Sequence, residues 1–117
     1  MARLPYLEKA DVAPENRDLL QREIALYKEL IHSPNMLRAY QGLGQFIRFK
    51  STLDARLREL AILQVGWLAR SAYEWSHHVK IGGEFGVSDA DIAALIDDTA
   101  GAGLDPLAKL VLAAARE

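Results

Sequence analysis

The chain has 117 residues, half of them hydrophobic and about a quarter charged, which is the composition of a globular domain with a modest core and not of a disordered segment. Its net charge of −2 comes with dispersed Lys and Arg, so no basic stripe points to nucleic acid or to an anionic membrane surface. It has no cysteine, which excludes disulfides, thiolate metal sites and thiol redox chemistry in this chain. No apolar run is long enough to cross a bilayer and no apolar signal core opens the sequence, so a cytoplasmic location is expected.

Residues 1–13 read as an irregular arm in which Leu4, Tyr6 and Leu7 can pack on a neighbouring surface. Pro14 suits a first helical position, and Leu19, Leu20, Ile24, Tyr27 and Ile31 recur at helical spacing, giving a first helix of about 14–31. His32–Ser33–Pro34 ends it, and Ser33 reads as the N-cap of a second helix of about 34–49. Met36, Leu37, Tyr40, Leu43, Phe46 and Ile47 form its stripe. Gly42 and Gly44 in its middle point to close approach of a helix or a ligand, or to a kink.

Asp54 is a good N-cap for a third helix of about 55–69, apolar around most of its circumference and therefore expected to be central and buried. A fourth helix, about 71–84, is expected to end at Gly86 as a left-handed cap. Ser88 and Asp91 resemble a capping box for a fifth helix of about 89–98. A linker over 99–103 follows, and Pro106 starts a sixth helix that runs to the end. With no strand signal and no repeat, the expectation is one all-α domain over 1–117 with about six helices. Leu107, Leu110, Val111 and Ala114 form an apolar stripe close to Glu117, which calls for either a partner subunit or further chain to cover it.

The chemistry concentrates between Arg58 and Gly86. Ser71, Glu74 and His78 lie three and four residues apart, within an arc of roughly 60° on one helical face. Tyr73 and Trp75 flank them, as walls of a pocket would. Glu59 lies in the densest apolar run; it either faces inward, where burial and a nearby histidine compete over its pKa, or pairs on the surface with Arg56. His77 points about 100° away from His78 and is expected at a surface or interface. His32, at a helix end, is assigned no chemistry. Two carboxylates and an imidazole suit an acid/base set or a metal triad. The zinc-protease pattern His-Glu-x-x-His is absent, so acid/base work with no metal is preferred.

The segment Leu57–Leu63, the run Tyr73–Glu74–Trp75–Ser76–His77–His78 and Gly86–Val87–Ser88 together resemble the carboxymuconolactone decarboxylase family, which also contains the alkyl hydroperoxidase D-like proteins. Arg3–Leu4–Pro5–Tyr6 and His32–Ser33–Pro34 extend the resemblance, which covers residues 3 to about 98. In the hydroperoxidase branch a Glu is followed at twelve and fifteen residues by the cysteines of a Cys-x-x-Cys and at nineteen by a His. Counted from Glu59 these positions are Ser71, Glu74 and His78, so the Glu and the His carry over and both thiols do not. A peroxidase-related label can attach through the family, but thiol peroxidase chemistry cannot run here.

The resemblance implies an all-helical fold and a trimeric or hexameric assembly. It also implies a 4-carboxymuconolactone decarboxylase-like carboxy-lyase that needs no cofactor and acts on a small carboxylated lactone or related acid. Under it His78, oriented by Glu74 or Glu59, is the general acid; Ser71, Tyr73 and Trp75 line the substrate pocket; and Arg58 or His77 holds the substrate carboxylate. Alternatives are a metal-assisted lyase or hydrolase using Glu59, Glu74 and His78, and a non-catalytic oligomer that binds a small molecule.

Overall fold

A computed structural model of the chain describes residues 3–97 and 103–117. The fold is all-helical, with no strand among the described residues, and no helix there is long and apolar enough to cross a membrane. Six α-helices follow one another: α1 (Ala25–Leu30), α2 (Pro34–Phe49), α3 (Ala55–Leu68), α4 (Ala72–Glu84), α5 (Asp89–Ile96) and α6 (Pro106–Arg116). Contacts gather them into two compact units, Met1–Ser51 and Thr52–Glu117.

In the first unit the expected helix over 14–31 is two elements. Pro14–Leu20 is a 3-10 run, the chain then becomes extended at Ile24, and α1 covers only the last part. On a straight helix Leu20 and Ile31 would stand roughly 17 Å apart along the axis. The break lets Val12, Leu19, Leu20, Ile31 and Leu37 share one small core, with Leu7, Tyr27 and Leu30 packed at its edge. Packing overrides the local periodicity here. The arm is tied down by Leu7 N donating to Lys28 O (3.2 Å), by the Lys28–Glu8 ion pair (2.7 Å) and by His32 Nε2 on Pro5 O (2.8 Å), while Leu4 and Tyr6 remain exposed.

Helix α2 has the expected bounds, but Ser33 occupies its N-cap without a side-chain capping bond. Of the stripe only Leu37 is buried. Met36, Tyr40, Leu43, Phe46 and Ile47 are 41–59% exposed, and a side chain at Gly42 or Gly44 would meet nothing within 4 Å. Neither glycine is explained by a close neighbour among the described residues.

The second unit is built on α3, against which α4 and α6 both pack extensively and α5 more lightly. Its core is Leu57, Leu60 and Leu63 of α3 with Val87, Leu95, Leu104, Ala108 and Leu112, and Trp75, Val79 and Ile92 lie against it. Val65, Trp67 and Leu68 of α3 are 42–55% exposed, so this helix is central without being buried all round. Asp54, Ser71, Ser88 and Asp105 each accept the capping bond at the start of α3, α4, α5 and α6, and Ser88–Asp91 is a complete capping box. Asp98 and the linker residues 99–102 lie outside the described residues, and α6 starts at Pro106 as expected. Its buried side is Ala108 and Leu112; Leu107 and Leu110 of the predicted stripe are 55% and 66% exposed.

One guanidinium joins three helix starts. Arg56 donates to both Asp91 oxygens (3.0 and 2.6 Å) and to Asp105 Oδ2 (2.9 Å), and its hydrogen bonds are the largest cause holding the Asp91 carboxyl below the usual carboxylate range.

Helix α4 ends in a Schellman turn: Val87 N donates to Gly82 O (2.9 Å), Gly86 N approaches Gly83 O (3.4 Å), and Gly86 takes φ +90°. Val87 folds back so tightly that a Cβ on Gly82 would lie 3.2 Å from its Cβ and Cγ2 and 3.7 Å from the Cβ of Glu59. Gly83 faces open space. Gly83→Ala is therefore expected to stabilise by up to about 1 kcal/mol through helix propensity. Gly82→Ala is expected to lose that gain and about 1–2 kcal/mol more, because Val87 is buried and β-branched. Thermal melts of the two variants should move in opposite directions.

Candidate active site

The side chain on which the site rests is Glu59. It is placed by α3 with none of its surface exposed, one residue before Leu60 and one turn before Leu63, both fully buried. Such a carboxylate needs partners, and it has two: His78 Nδ1 lies 2.7 Å from Oε2 and Arg58 Nε donates to Oε1 at 3.0 Å. Burial pushes the Glu59 carboxyl up, but the hydrogen bonds and charges of His78 and Arg58 together outweigh it, and the group is held below the ordinary glutamate range. The surface pairing with Arg56 is not made.

An ionised Glu59 can only accept, so His78 Nδ1 carries a proton whatever the state of the ring. The exchangeable position is Nε2, which faces Glu74 Oε2 at 3.6 Å across one turn of α4. His78 is 18% exposed and the Glu74 side chain 42%, so the two grade from the buried end of the cluster toward solvent. This is the logic by which a buried carboxylate fixes the tautomer and orientation of an acid/base histidine. The two carboxylates address opposite ring nitrogens and do not converge on one point. Among the described residues no group of three or more Asp, Glu or His is arranged to hold a metal ion.

Ser71, the third residue of the predicted face, is the N-cap of α4, its Oγ accepting from Glu74 N at 3.3 Å. Arg58 is 4% exposed, bound to Glu59 and stacked over the Phe85 ring at 4.7 Å. Tyr73 and His77 stack on each other (4.9 Å, 32°).

Next to the cluster, at the turn between α3 and α4, a cavity of about 560 Å³ opens. Gly66, Trp67 and Leu68 line it from α3, Arg70 and Ser71 from the turn, and Trp75 from α4. Trp67 and Trp75 form a tilted pair 5.2 Å apart. Of the expected walls Trp75 and Ser71 line it and Tyr73 does not; His78 stands one turn beyond Trp75. Trp67, Arg70 and Phe85 were not legible as site residues. The only signal for Arg70 was its place at the break between two helices.

The family model of the carboxymuconolactone decarboxylase family matches residues 34–117. The chain belongs to the carboxymuconolactone decarboxylase family. The match takes in the whole Glu59–His78 arrangement and both helices after it. It begins at Pro34, so the resemblance read in Arg3–Tyr6 and at His32–Ser33 lies outside it. No curated protein and no solved structure matches the chain.

Proposed function

We propose that this family member is a cofactor-independent carboxy-lyase, acting on a small carboxylated lactone or a related unsaturated acid, with His78 Nε2 as its proton donor. The observation that carries this reading is the 2.7 Å contact between His78 Nδ1 and the fully buried Glu59, which leaves Nε2 to face a substrate. Glu59 is the positioning residue, and Glu74 stabilises the protonated ring across 3.6 Å. As the bond to the carboxylate carbon breaks, its electron pair passes into the unsaturated lactone and carbon dioxide leaves. The ring carbon takes the proton of Nε2, which solvent restores. Apolar walls at Trp67 and Trp75 favour the charge-dispersed state over the carboxylate. Positions 71 and 74, where the thiol branch of the family carries cysteines, hold Ser and Glu, and the chain has no cysteine to form a sulfenate or disulfide.

Screening carboxylated γ-lactones for carbon dioxide release tests the assignment. Release by the purified chain is expected with no added metal or cofactor, and with no thiol-dependent peroxide consumption. Failure across the class would reject it. We place this activity in the cytoplasm.

The same reading includes a homo-oligomer, trimer or hexamer. Its support is the open apolar surface on α2 and on α6 at Leu107 and Leu110. Sedimentation equilibrium should give a multiple of 13.0 kDa at micromolar concentration; a persistent monomer would reject the assembly.

A further inference from the structure

The turn between α3 and α4 has the same hydrogen-bonded form as the end of α4. Ser71 N donates to Gly66 O (3.0 Å) and Arg70 N to Trp67 O (3.1 Å), the pair that defines a Schellman turn. The residue in the left-handed position after α4 is Gly86 at φ +90°; after α3 it is Arg70 at φ +51°. Among the described residues Arg70 is the one non-glycine with positive φ. A left-handed arginine is less stable than a glycine there by the clash of its Cβ with the backbone. No side-chain hydrogen bond or ion pair within the described residues engages Arg70. Arg70 lines a cavity whose other walls are Gly66, Trp67, Leu68, Ser71, Ala72 and Trp75.

We infer that Arg70 is a carboxylate-anchoring residue for a small planar acid seated in the Trp67–Trp75 cavity. The inference rests on the proposed function for its substrate class, and deepens it by assigning the cation that Arg58, buried on Glu59, does not supply. A guanidinium offers a planar fork of donors that matches a carboxylate, and the indole faces match a flat unsaturated ring. A cavity of this volume lies within the range of small-molecule sites. Trp75 and His78 are three residues apart on α4 and so share a side of the helix.

Both tryptophans of the chain line this cavity, so intrinsic fluorescence reports on it without a label and without turnover. The probe is furan-2,5-dicarboxylate, a five-membered planar diacid that does not decarboxylate under mild conditions, compared with its neutral dimethyl ester. The wild type is expected to bind the diacid at least about tenfold more tightly than the ester, with an affinity that falls as salt is raised. Arg70→Gly is expected to lose that preference while melting at or above the wild-type temperature, since glycine suits the turn. Arg70→Asn, which also tolerates the left-handed region, should lose it too, and Arg70→Lys should keep part of it. Equal affinity for diacid and ester, undiminished diacid binding by Arg70→Gly, or no binding of either probe by the wild type would overturn the inference. None of these readouts depends on carbon dioxide release, so failure of the anchor and failure of the decarboxylase assignment are told apart.

Discussion

His78→Gln is expected to lower turnover of a decarboxylated substrate by about 10²–10⁴-fold, the range supplied by a positioned general acid. Glutamine reaches a similar distance and can donate its amide N–H to Glu59, so the buried carboxylate keeps a partner and the fold should survive. What is lost is the nitrogen that exchanges a proton. Helical circular dichroism and melting temperature should stay close to wild type while kcat collapses and KM changes little. Turnover undiminished in the folded variant would remove His78 from the chemistry. Glu74→Gln gives the contrast: Glu74 is more exposed and stands 3.6 Å from Nε2, so its loss should spare most of the rate.

The second large effect is at Glu59, where stability and activity separate according to the replacement. Glu59→Leu leaves Arg58, 4% exposed, without its carboxylate in the interior, and such a broken buried pair is expected to cost about 3–5 kcal/mol. Glu59→Gln keeps the shape and one acceptor and should fold. Its amide can donate to Nδ1, however, which moves the ring proton to Nε2 and spoils the tautomer, with an expected loss of about 10²-fold or more.

The pH dependence follows from the direction of the Glu59 shift. Burial raises its carboxyl, the bonds and charges of His78 and Arg58 together lower it by more, and the folded value lies below the ordinary 4.5. The stability this provides is complete above the unfolded value and is lost as pH falls through the folded one. Wild-type melting temperature should therefore drop below about pH 4.5 more steeply than that of Glu59→Gln. Parallel slopes would mean that the carboxylate is not coupled to folding.

Much of this was legible in the sequence, and the exceptions have physical reasons. Caps are local chemistry, so Asp54, Ser88 and Gly86 announced helix boundaries that the structure keeps. The face carrying Ser71, Glu74 and His78 follows from helical periodicity alone. Whether Glu59 meets His78 does not, because it depends on how α3 and α4 pack, and the residues between them are compatible with either orientation. The burial of Arg58 was not legible, because nothing in a linear sequence tells a buried guanidinium from an exposed one. The break at Gln21–Ile24 was invisible for a related reason: the apolar spacing is helical on both sides, and only the shared core of Leu20 and Ile31 forces the chain to turn. The turn at Arg70 takes a backbone conformation that arginine rarely adopts, which residue preferences argue against.

The capping bond from Glu74 N to Ser71 Oγ has a consequence for descent. The resemblance places one cysteine of the redox branch at position 71, and here that position holds a hydroxyl that stabilises the first turn of a helix. That first turn, with its unpaired N–H groups and positive end, is also the environment that acidifies a cysteine. A hydroxyl and a thiol at this one position would put the same helix start to different uses. In this chain that helix start carries Ser71 as its cap and Glu74 in its first turn, and no thiol.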